Sequence, residues 1–201
     1  MKLLDKLIDK TAQIKEEIEQ QEQINALNYL YYIMQGATYR NMTMQEYFDK
    51  HYLRNCYYYS TYLILCLKST DRLVRGEIHN GLKRKDSIPN YKHGWVEFEF
   101  NGKWWVYDDH YVYPISIEEY YKENAPYVIF EKFTQNELLE FVKTKFQDKI
   151  SETKEGNKTI LSTREISDVE HKIPLPFVDL EICDGEISKV SVDAEMKVHL
   201  C

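Results

Sequence analysis

The segment Lys92–His110 constrains the fold of this chain most, because it reads as two alternating strands joined by a turn, KHGWVEFEFNGKWWVYDDH. Asn101-Gly102 stands between the two apolar runs. Asn-Gly favours a type I′ turn, in which both central residues need a positive φ angle. We therefore predict a β-hairpin in which Phe98 pairs with Trp105.

The same register, continued along the hairpin, pairs Trp95 with Asp108 and His93 with His110. Because side chains alternate between the faces of a strand, these four residues are predicted to point to one side. Asp108 is then the diagonal neighbour of His93, about 7–8 Å away by strand spacing and within reach of an imidazole. We expect the opposite face to be the better buried one, and a helix that carries Cys56 to cover part of the His93 face.

A nucleophile for this pair lies upstream, where Cys56 opens the apolar run CYYYSTYLILCLKS, which predicts a buried helix. Asn55 is a favourable N-cap residue and places Cys56 in the first turn. A helix N-terminus and a nearby imidazolium both favour a thiolate. We therefore predict Cys56, His93 and Asp108 as catalytic nucleophile, base and orienting group. The alternative for an isolated cysteine is a buried, inert thiol, which is our assignment for Cys66.

These motifs resemble the transglutaminase-like cysteine enzyme superfamily, with its papain-like Cys-His-Asp triad. In that family a Cys-bearing helix packs on an antiparallel sheet, and the pattern His-Ala-Trp-Val-Glu … Gly-x-Trp … Val-Asp-Pro carries the His and the Asp. The resemblance spans Tyr52 to Tyr111, and its matching positions are His93, Trp95, Val96, Glu97, Gly102, Trp104 and Asp108. The chain departs from the pattern at Arg54, where the family usually has Gly, and at Asp109, where it has Pro.

The resemblance implies a transglutaminase-like core. Together with the helical spacing of apolar residues before residue 36 and the strand patterns after residue 151, it predicts an α+β fold with N-terminal helices and a C-terminal β-rich extension. It also implies acyl transfer on amide bonds through a thioester, with hydrolysis by a peptidase, amidase or deamidase ahead of cross-linking. The backbone N–H of Cys56 would contribute to the oxyanion hole, and Tyr52 and Asn55 are candidates for its second donor. The alternative is a catalytically inactive protein of this fold that serves as a protein-interaction module.

A chain of 201 residues suits one core with appendages. We predict an N-terminal helical segment over residues 1–35, a catalytic core over 36–150 and a β-rich extension over 151–201, with the boundary at the polar run Ser151–Asn157. The leucines and isoleucines of the first segment fit a helix packed on the core better than a dimerising coiled coil, which needs about three to four sustained heptads. A dimer through this helix remains an open alternative.

Local signals predict the elements around the motifs. They are a short helix over Thr43–His51 capped by Thr43, a strand over Leu73–His79, a loop over Asn80–Asn90, helices capped by Ser116 and Thr134, and strands over Thr159–Thr163, Phe177–Cys183 and Glu186–Val192. Asp184-Gly185 between the last two strands is a second hairpin signal.

Composition limits the partners and the compartment. The net charge of −7 disfavours nucleic acid and leaves a protein or peptide substrate as the predicted partner. No stretch approaches the roughly 18 apolar residues of a membrane span, and the start lacks the apolar core of a signal peptide. We therefore expect no membrane contact, a cytoplasmic protein and free thiols at all four cysteines. We predict no cofactor and no metal, since His79, His93, His110 and Asp108 lack the spacing of zinc sites.

Overall fold

The chain folds into an α+β arrangement in which a helix lies between two sheets. The computed structural model describes residues 2–35, 38–39, 42–43, 56–79, 90–108, 110–163 and 178–192. The helices of these residues are α1 Lys2–Gln35, α2 Cys56–Cys66, α3 Ile117–Glu123 and α4 Gln135–Lys145, and a 3-10 turn, Gln147–Lys149, follows α4.

The strands belong to two sheets, which we call the hairpin sheet and the C-terminal sheet. In chain order they are β1 Thr38–Tyr39, β2 Met42–Thr43, β3 Arg72–His79, β4 Asn90–Phe100, β5 Lys103–Tyr107, β6 Ile115–Ser116, β7 Pro126–Thr134, β8 Ile150–Glu155, β9 Lys158–Thr163, β10 Val178–Cys183 and β11 Glu186–Val192. The hairpin sheet has the order β6-β5-β4-β3-β7 and is antiparallel. The C-terminal sheet has the order β2-β1-β11-β10-β9-β8 and is antiparallel except where β1 meets β11.

The predicted hairpin forms between β4 and β5. Asn101 and Gly102 have φ angles of 53° and 73°, as a type I′ turn requires, and Phe98 pairs with Trp105. However, the ladder ends at the pair Val96–Tyr107, so the predicted strand pairing does not extend to residues 108 and 110. The chain turns there because the carboxylate of residue 108 accepts the backbone N–H of residue 110 at 2.9 Å, as aspartates do in turns.

Helix α2 packs on the hairpin sheet against the face that carries Phe98 and Trp105, and not against the His93 face as we expected. The reason is apolar area: this face meets α2, part of α1, α4 and the C-terminal sheet in one buried cluster. Its fully or nearly fully buried members include Ala26, Leu30, Tyr62, Leu63, Ile64, Leu65, Leu73, Val96, Phe98, Trp105, Leu138, Val142, Leu161, Val178, Leu180 and Val190.

The opposite face of the hairpin sheet is also buried, beneath α3. Its cluster consists of Val74, Ile78, Trp95, Val106, Ile115 and Tyr120. Trp95 and Trp105 point to opposite faces, yet 0% and 3% of their surfaces are exposed. The central strands of the hairpin sheet are therefore fixed from both sides.

Over residues 8–33, where the side chains of α1 are described, the C-terminal part of the helix packs on the core. Ala26, Leu27 and Leu30 are buried, whereas residues 8–22 are exposed, including Ile8 and Ile14. The prediction of a packed helix thus holds for its C-terminal part. Dimerisation through the exposed part stays a prediction.

The two helices predicted after Ser116 and Thr134 begin at their predicted residues. The hydroxyl oxygens of Ser116 and Thr134 accept the N–H groups of Glu119 and Glu137 and cap α3 and α4 as predicted. Thr43 is the last residue of β2, and residues 44–51 lie outside the described residues, so the helix predicted there stays a prediction.

The strand pattern of the second half of the chain departs from the prediction at two places. Strand β7, which the sequence did not reveal, pairs with β3, and the predicted polar break contains β8. The last four strands form a sheet of their own with β1 and β2. The predicted domain boundaries stay a prediction. In the described ranges, no helix combines the length and apolar character that crossing a bilayer requires.

The C-terminal end of α2 is held by the side chain of Gln135, the first residue of α4. The amide nitrogen of this buried glutamine donates to the carbonyl oxygens of Ile64, Leu65 and Leu67 at 3.4, 3.0 and 2.8 Å. Carbonyls at a helix C-terminus have no partner within the helix, so the glutamine supplies what they lack. Gln135 therefore links α4 to the helix that carries Cys56.

Replacement of Gln135 by leucine should destabilise the protein, because it leaves buried carbonyls without a donor. We expect the free energy of unfolding to fall by about 1–3 kcal/mol. Chemical denaturation of the variant measures this change, with Asn136→Ala at the exposed neighbouring position as the control. Two variants that agree within about 0.5 kcal/mol would contradict the capping role.

Candidate active site

The structure brings together the three residues predicted as a catalytic triad. Nε2 of His93 lies 2.8 Å from Oδ2 of Asp108, and the Cys56 side chain forms a hydrogen bond with the same imidazole. Because Nε2 faces Asp108, Nδ1 is the ring nitrogen that remains for the sulfur. His93 and Asp108 are 1% and 3% exposed, and Cys56 is half-buried. The catalytic roles of the three residues stay a prediction.

Cys56 reaches His93 although α2 lies on the other face of the hairpin sheet. Gly94 allows α2 to come close, since a Cβ atom at this residue would lie 3.1 Å from the ring of Tyr57. The Ser60 hydroxyl donates to the Gly94 carbonyl oxygen at 3.1 Å. Because β5 ends at Tyr107, opposite Val96, no described strand lies beside His93 on that side of β4. The start of α2 can therefore approach the imidazole at this edge.

The carboxylate of Asp108 accepts hydrogen bonds on both oxygens. Oδ2 faces His93 and also accepts the Tyr120 hydroxyl at 2.7 Å, and Oδ1 accepts the backbone N–H of His110 at 2.9 Å, with Nδ1 of the same histidine at 3.3 Å. Burial disfavours the charged form, but the hydrogen bonds from His110, His93 and Tyr120 hold the pKa of Asp108 well below its ordinary value. The carboxylate is thus charged and fixed in orientation.

His93 is correspondingly held in its charged form. Burial opposes protonation, but hydrogen bonds and charge interactions with Asp108 and Cys56 raise the pKa of His93 to about 10. The His110 ring stacks on the His93 ring with a centroid distance of 4.7 Å, and Trp95 lies 6.1 Å away on the same face. The half-buried Cys56 thus lies beside a charged imidazole ring.

Two buried residues of this region were not predicted from the sequence. One is Tyr120, which bonds Asp108. The other is Arg75, which is only 2% exposed. Its guanidinium donates to the Thr61 hydroxyl and lies 5.1 Å from the ring centre of Tyr57. The alternation of side chains along β3 could have predicted the burial of Arg75, because Arg75 lies on the same face as the buried Leu73. For Tyr120, the position of a tyrosine on an amphipathic helix does not indicate that its hydroxyl bonds Asp108.

Other predicted positions are placed as follows. Burial raises the pKa of the Cys66 thiol to about 12, in keeping with an inert residue. The oxyanion candidates Tyr52 and Asn55, the two departures Arg54 and Asp109, residues 80–89 of the predicted loop and the side chain of His79 lie outside the described residues. Phe177 at the start of a predicted strand and Cys201 are also outside them.

A metal ion bound by His93, Asp108 and His110 would replace the His93–Asp108 hydrogen bond. Single ligand atoms of His93, Asp108 and His110 lie within 4.8 Å of one another, and two imidazoles with a carboxylate suit zinc. However, a metal between Nε2 and the carboxylate would have to replace the proton that these groups share. The arrangement favours proton chemistry at this position.

No protein-family model, no curated protein and no solved structure matches this chain.

The low pKa of Asp108 predicts an acid-dependent loss of stability. The unfolded chain binds a proton near the ordinary carboxyl pKa of 3.8, whereas the folded protein does not, so the contribution of Asp108 is present above that pH and is lost as the pH falls. Below its ordinary pKa of 6.5, His93 is protonated in both the folded and the unfolded state. It therefore does not contribute to the pH dependence of the unfolding free energy in that range.

We expect the difference in unfolding free energy between the wild type and Asp108→Asn to shrink from about pH 4 downward, by at most about 1.4 kcal/mol per pH unit. Denaturant titrations at a series of pH values measure it. A difference that is independent of pH would contradict a native carboxylate at residue 108.

Proposed function

We propose that this protein is a cysteine-dependent acyl-transfer enzyme with a transglutaminase-like core, acting on amide bonds of a protein or peptide substrate through a thioester. The observation that carries the proposal is the position of His93, which is hydrogen-bonded to Cys56 on one side and to Asp108 on the other. Thiol-based acyl transfer needs a base that is bonded to the nucleophile on one side and to an orienting carboxylate on the other.

In the first step the Cys56 thiolate attacks the amide carbonyl carbon. A carbon–sulfur bond forms and the carbonyl π electrons move to the oxygen. When the tetrahedral species collapses, the carbon–nitrogen bond breaks and the His93 imidazolium gives its proton to the leaving amine or ammonia. The product of this half-reaction is a thioester on Cys56 and a neutral imidazole.

In the second step the acyl group passes to a second substrate. Neutral His93 takes a proton from water or an amine as that molecule attacks the thioester carbon, and Cys56 leaves as the thiolate beside the reformed imidazolium. Asp108 keeps the proton on Nε2, so that Nδ1 faces the reacting groups, and it stabilises the positive charge of the ring. The backbone N–H of Cys56 would stabilise the oxyanion.

Water is our first choice of acyl acceptor, which gives a peptidase, amidase or deamidase. This order rests on the resemblance to the transglutaminase-like enzymes. The alternative is a protein of the same fold without activity, which serves as an interaction module. A reactive Cys56 is expected of the enzyme and not of the interaction module.

Alkylation of the thiols tests this distinction without a known substrate. At about pH 6 we expect iodoacetamide to label Cys56 at least tenfold faster than Cys66, because we propose a nucleophile paired with His93 at Cys56, whereas burial raises the pKa of the Cys66 thiol to about 12 and keeps it protonated. Mass spectrometry of peptides gives the rate at each cysteine, with Cys66 of the same helix as the internal control. His93→Ala should remove the excess rate. Equal rates at the two cysteines in the wild type would favour the interaction module.

A panel of glutamine-containing and peptide amides tests the reaction itself. We expect release of amine or ammonia with formation of the carboxylic acid, and a fall of about 10⁴-fold in turnover in Asp108→Asn, because the wrong imidazole tautomer is then favoured. Mass spectrometry of the products, with and without a labelled primary amine, measures both reactions. Incorporation of the amine at a rate above that of hydrolysis would contradict the choice of water as acceptor.

A further inference from the structure

Strand pairing does not fix the direction of the Asp108 carboxylate, and the backbone N–H of His110 bonds only its Oδ1, at 2.9 Å. Asp108 follows the last residue of β5, and the strand ladder has already ended at Tyr107. The direction in which Oδ2 points is therefore set by the groups that bond the carboxylate. Two donors from different elements meet at this oxygen, Nε2 of His93 from β4 and the hydroxyl of Tyr120 from α3, at 2.8 and 2.7 Å.

Tyr120 is itself held rigidly, which makes its hydroxyl a fixed reference point. The residue is 1% exposed, and its ring lies 5.7 Å from Trp95 and 6.1 Å from Tyr111, centre to centre. Its carbonyl oxygen accepts the backbone N–H of Asn124 at 2.8 Å, where α3 ends. Since Trp95 and His93 lie on the same strand and the same face, packing on Trp95 sets the hydroxyl relative to the imidazole.

We propose that Tyr120 is a positioning residue of the site, which holds Oδ2 of Asp108 in line with Nε2 of His93. The proposal deepens the proposed function and rests on it for its catalytic consequence. A carboxylate that rotated away would lose the short bond to the ring and would no longer fix the tautomer. The Tyr120 hydroxyl opposes this rotation, because any turn of the carboxylate group breaks a buried, charge-assisted hydrogen bond.

The competing account is that the Tyr120 hydroxyl merely satisfies a buried polar group and has no effect on His93. The neighbouring residue provides a matched control. The Tyr121 hydroxyl also donates to a buried carboxylate, that of Glu97, which is paired with Lys132 and Arg72. Tyr120→Phe and Tyr121→Phe therefore each remove one hydroxyl from the same helix and one hydrogen bond to a buried carboxylate, but only the first touches Asp108.

The imidazole proton shared by His93 and Asp108 gives a direct readout in proton NMR of the full chain. Its resonance is assigned by its disappearance in His93→Gln. We expect Tyr120→Phe to shift the resonance upfield and to speed its exchange with water, while Tyr121→Phe leaves both unchanged. Unfolding transitions recorded for both variants relate these changes to stability. Equal changes in the two variants, or no change in Tyr120→Phe, would overturn the proposal.

The kinetic constants kcat and KM distinguish a role of Tyr120 in positioning the catalytic groups from a role in substrate binding. With an amide substrate that the wild type cleaves, Tyr120→Phe should lower kcat by about ten- to a hundredfold with KM unchanged, whereas Tyr121→Phe should keep the wild-type values. A change in KM alone would overturn the proposal. The proposed function fails separately, if wild-type Cys56 shows no reactivity that depends on His93. In that case the NMR comparison still decides whether Tyr120 orients Asp108.

Discussion

The hydrogen bond between His93 and Asp108 is the interaction on which the candidate site depends. A buried charge pair stabilises a protein only when its remaining donors and acceptors are also bonded, because both groups have lost their hydration. Here Tyr120 and His110 bond the carboxylate and Cys56 bonds the imidazole. The charged pair is therefore maintained by side chains from β4, α2, α3 and the turn after β5, and each of these elements has to be in place for the pair to exist.

The position of α2 explains how a buried core and an accessible nucleophile are combined. Its middle and its C-terminal end lie in the cluster between the two sheets, where Leu63 and Ile64 are almost fully buried and Gln135 bonds the last carbonyls. Its first residue lies at the edge of β4, beside His93. The apolar part of the helix thus fixes the position of the sulfur, and the reactive end lies where the β4–β5 ladder has ended.

The local chemistry of the sequence was enough to predict the hairpin, two capped helices and the residues that converge at the site. Asn101-Gly102 sets the turn and with it the register of β4 and β5. The ladder ends at Tyr107, so the turn after β5, and not strand pairing, brings the Asp108 carboxylate to His93. The same logic did not predict β7, because its apolar run Tyr127–Phe130 is continuous, and periodicity alone does not distinguish such a run from a helix segment. It also placed α2 on the wrong face, since both faces of β4 carry large apolar residues and only the packing of the whole chain selects between them.

The sequence alone determined which residue types are available and in what local order: a cysteine at the start of an apolar helix, a histidine in one strand of the hairpin, and an aspartate directly after the other strand. Tertiary structure decided their distances and their charge states. Whether Tyr120 bonds Asp108, whether Arg75 is buried beneath Tyr57 and whether Cys56 contacts His93 depend on elements that are distant along the chain. Periodicity reports the environment of a residue within its own element, whereas hydrogen bonds and burial depend on its neighbours in space.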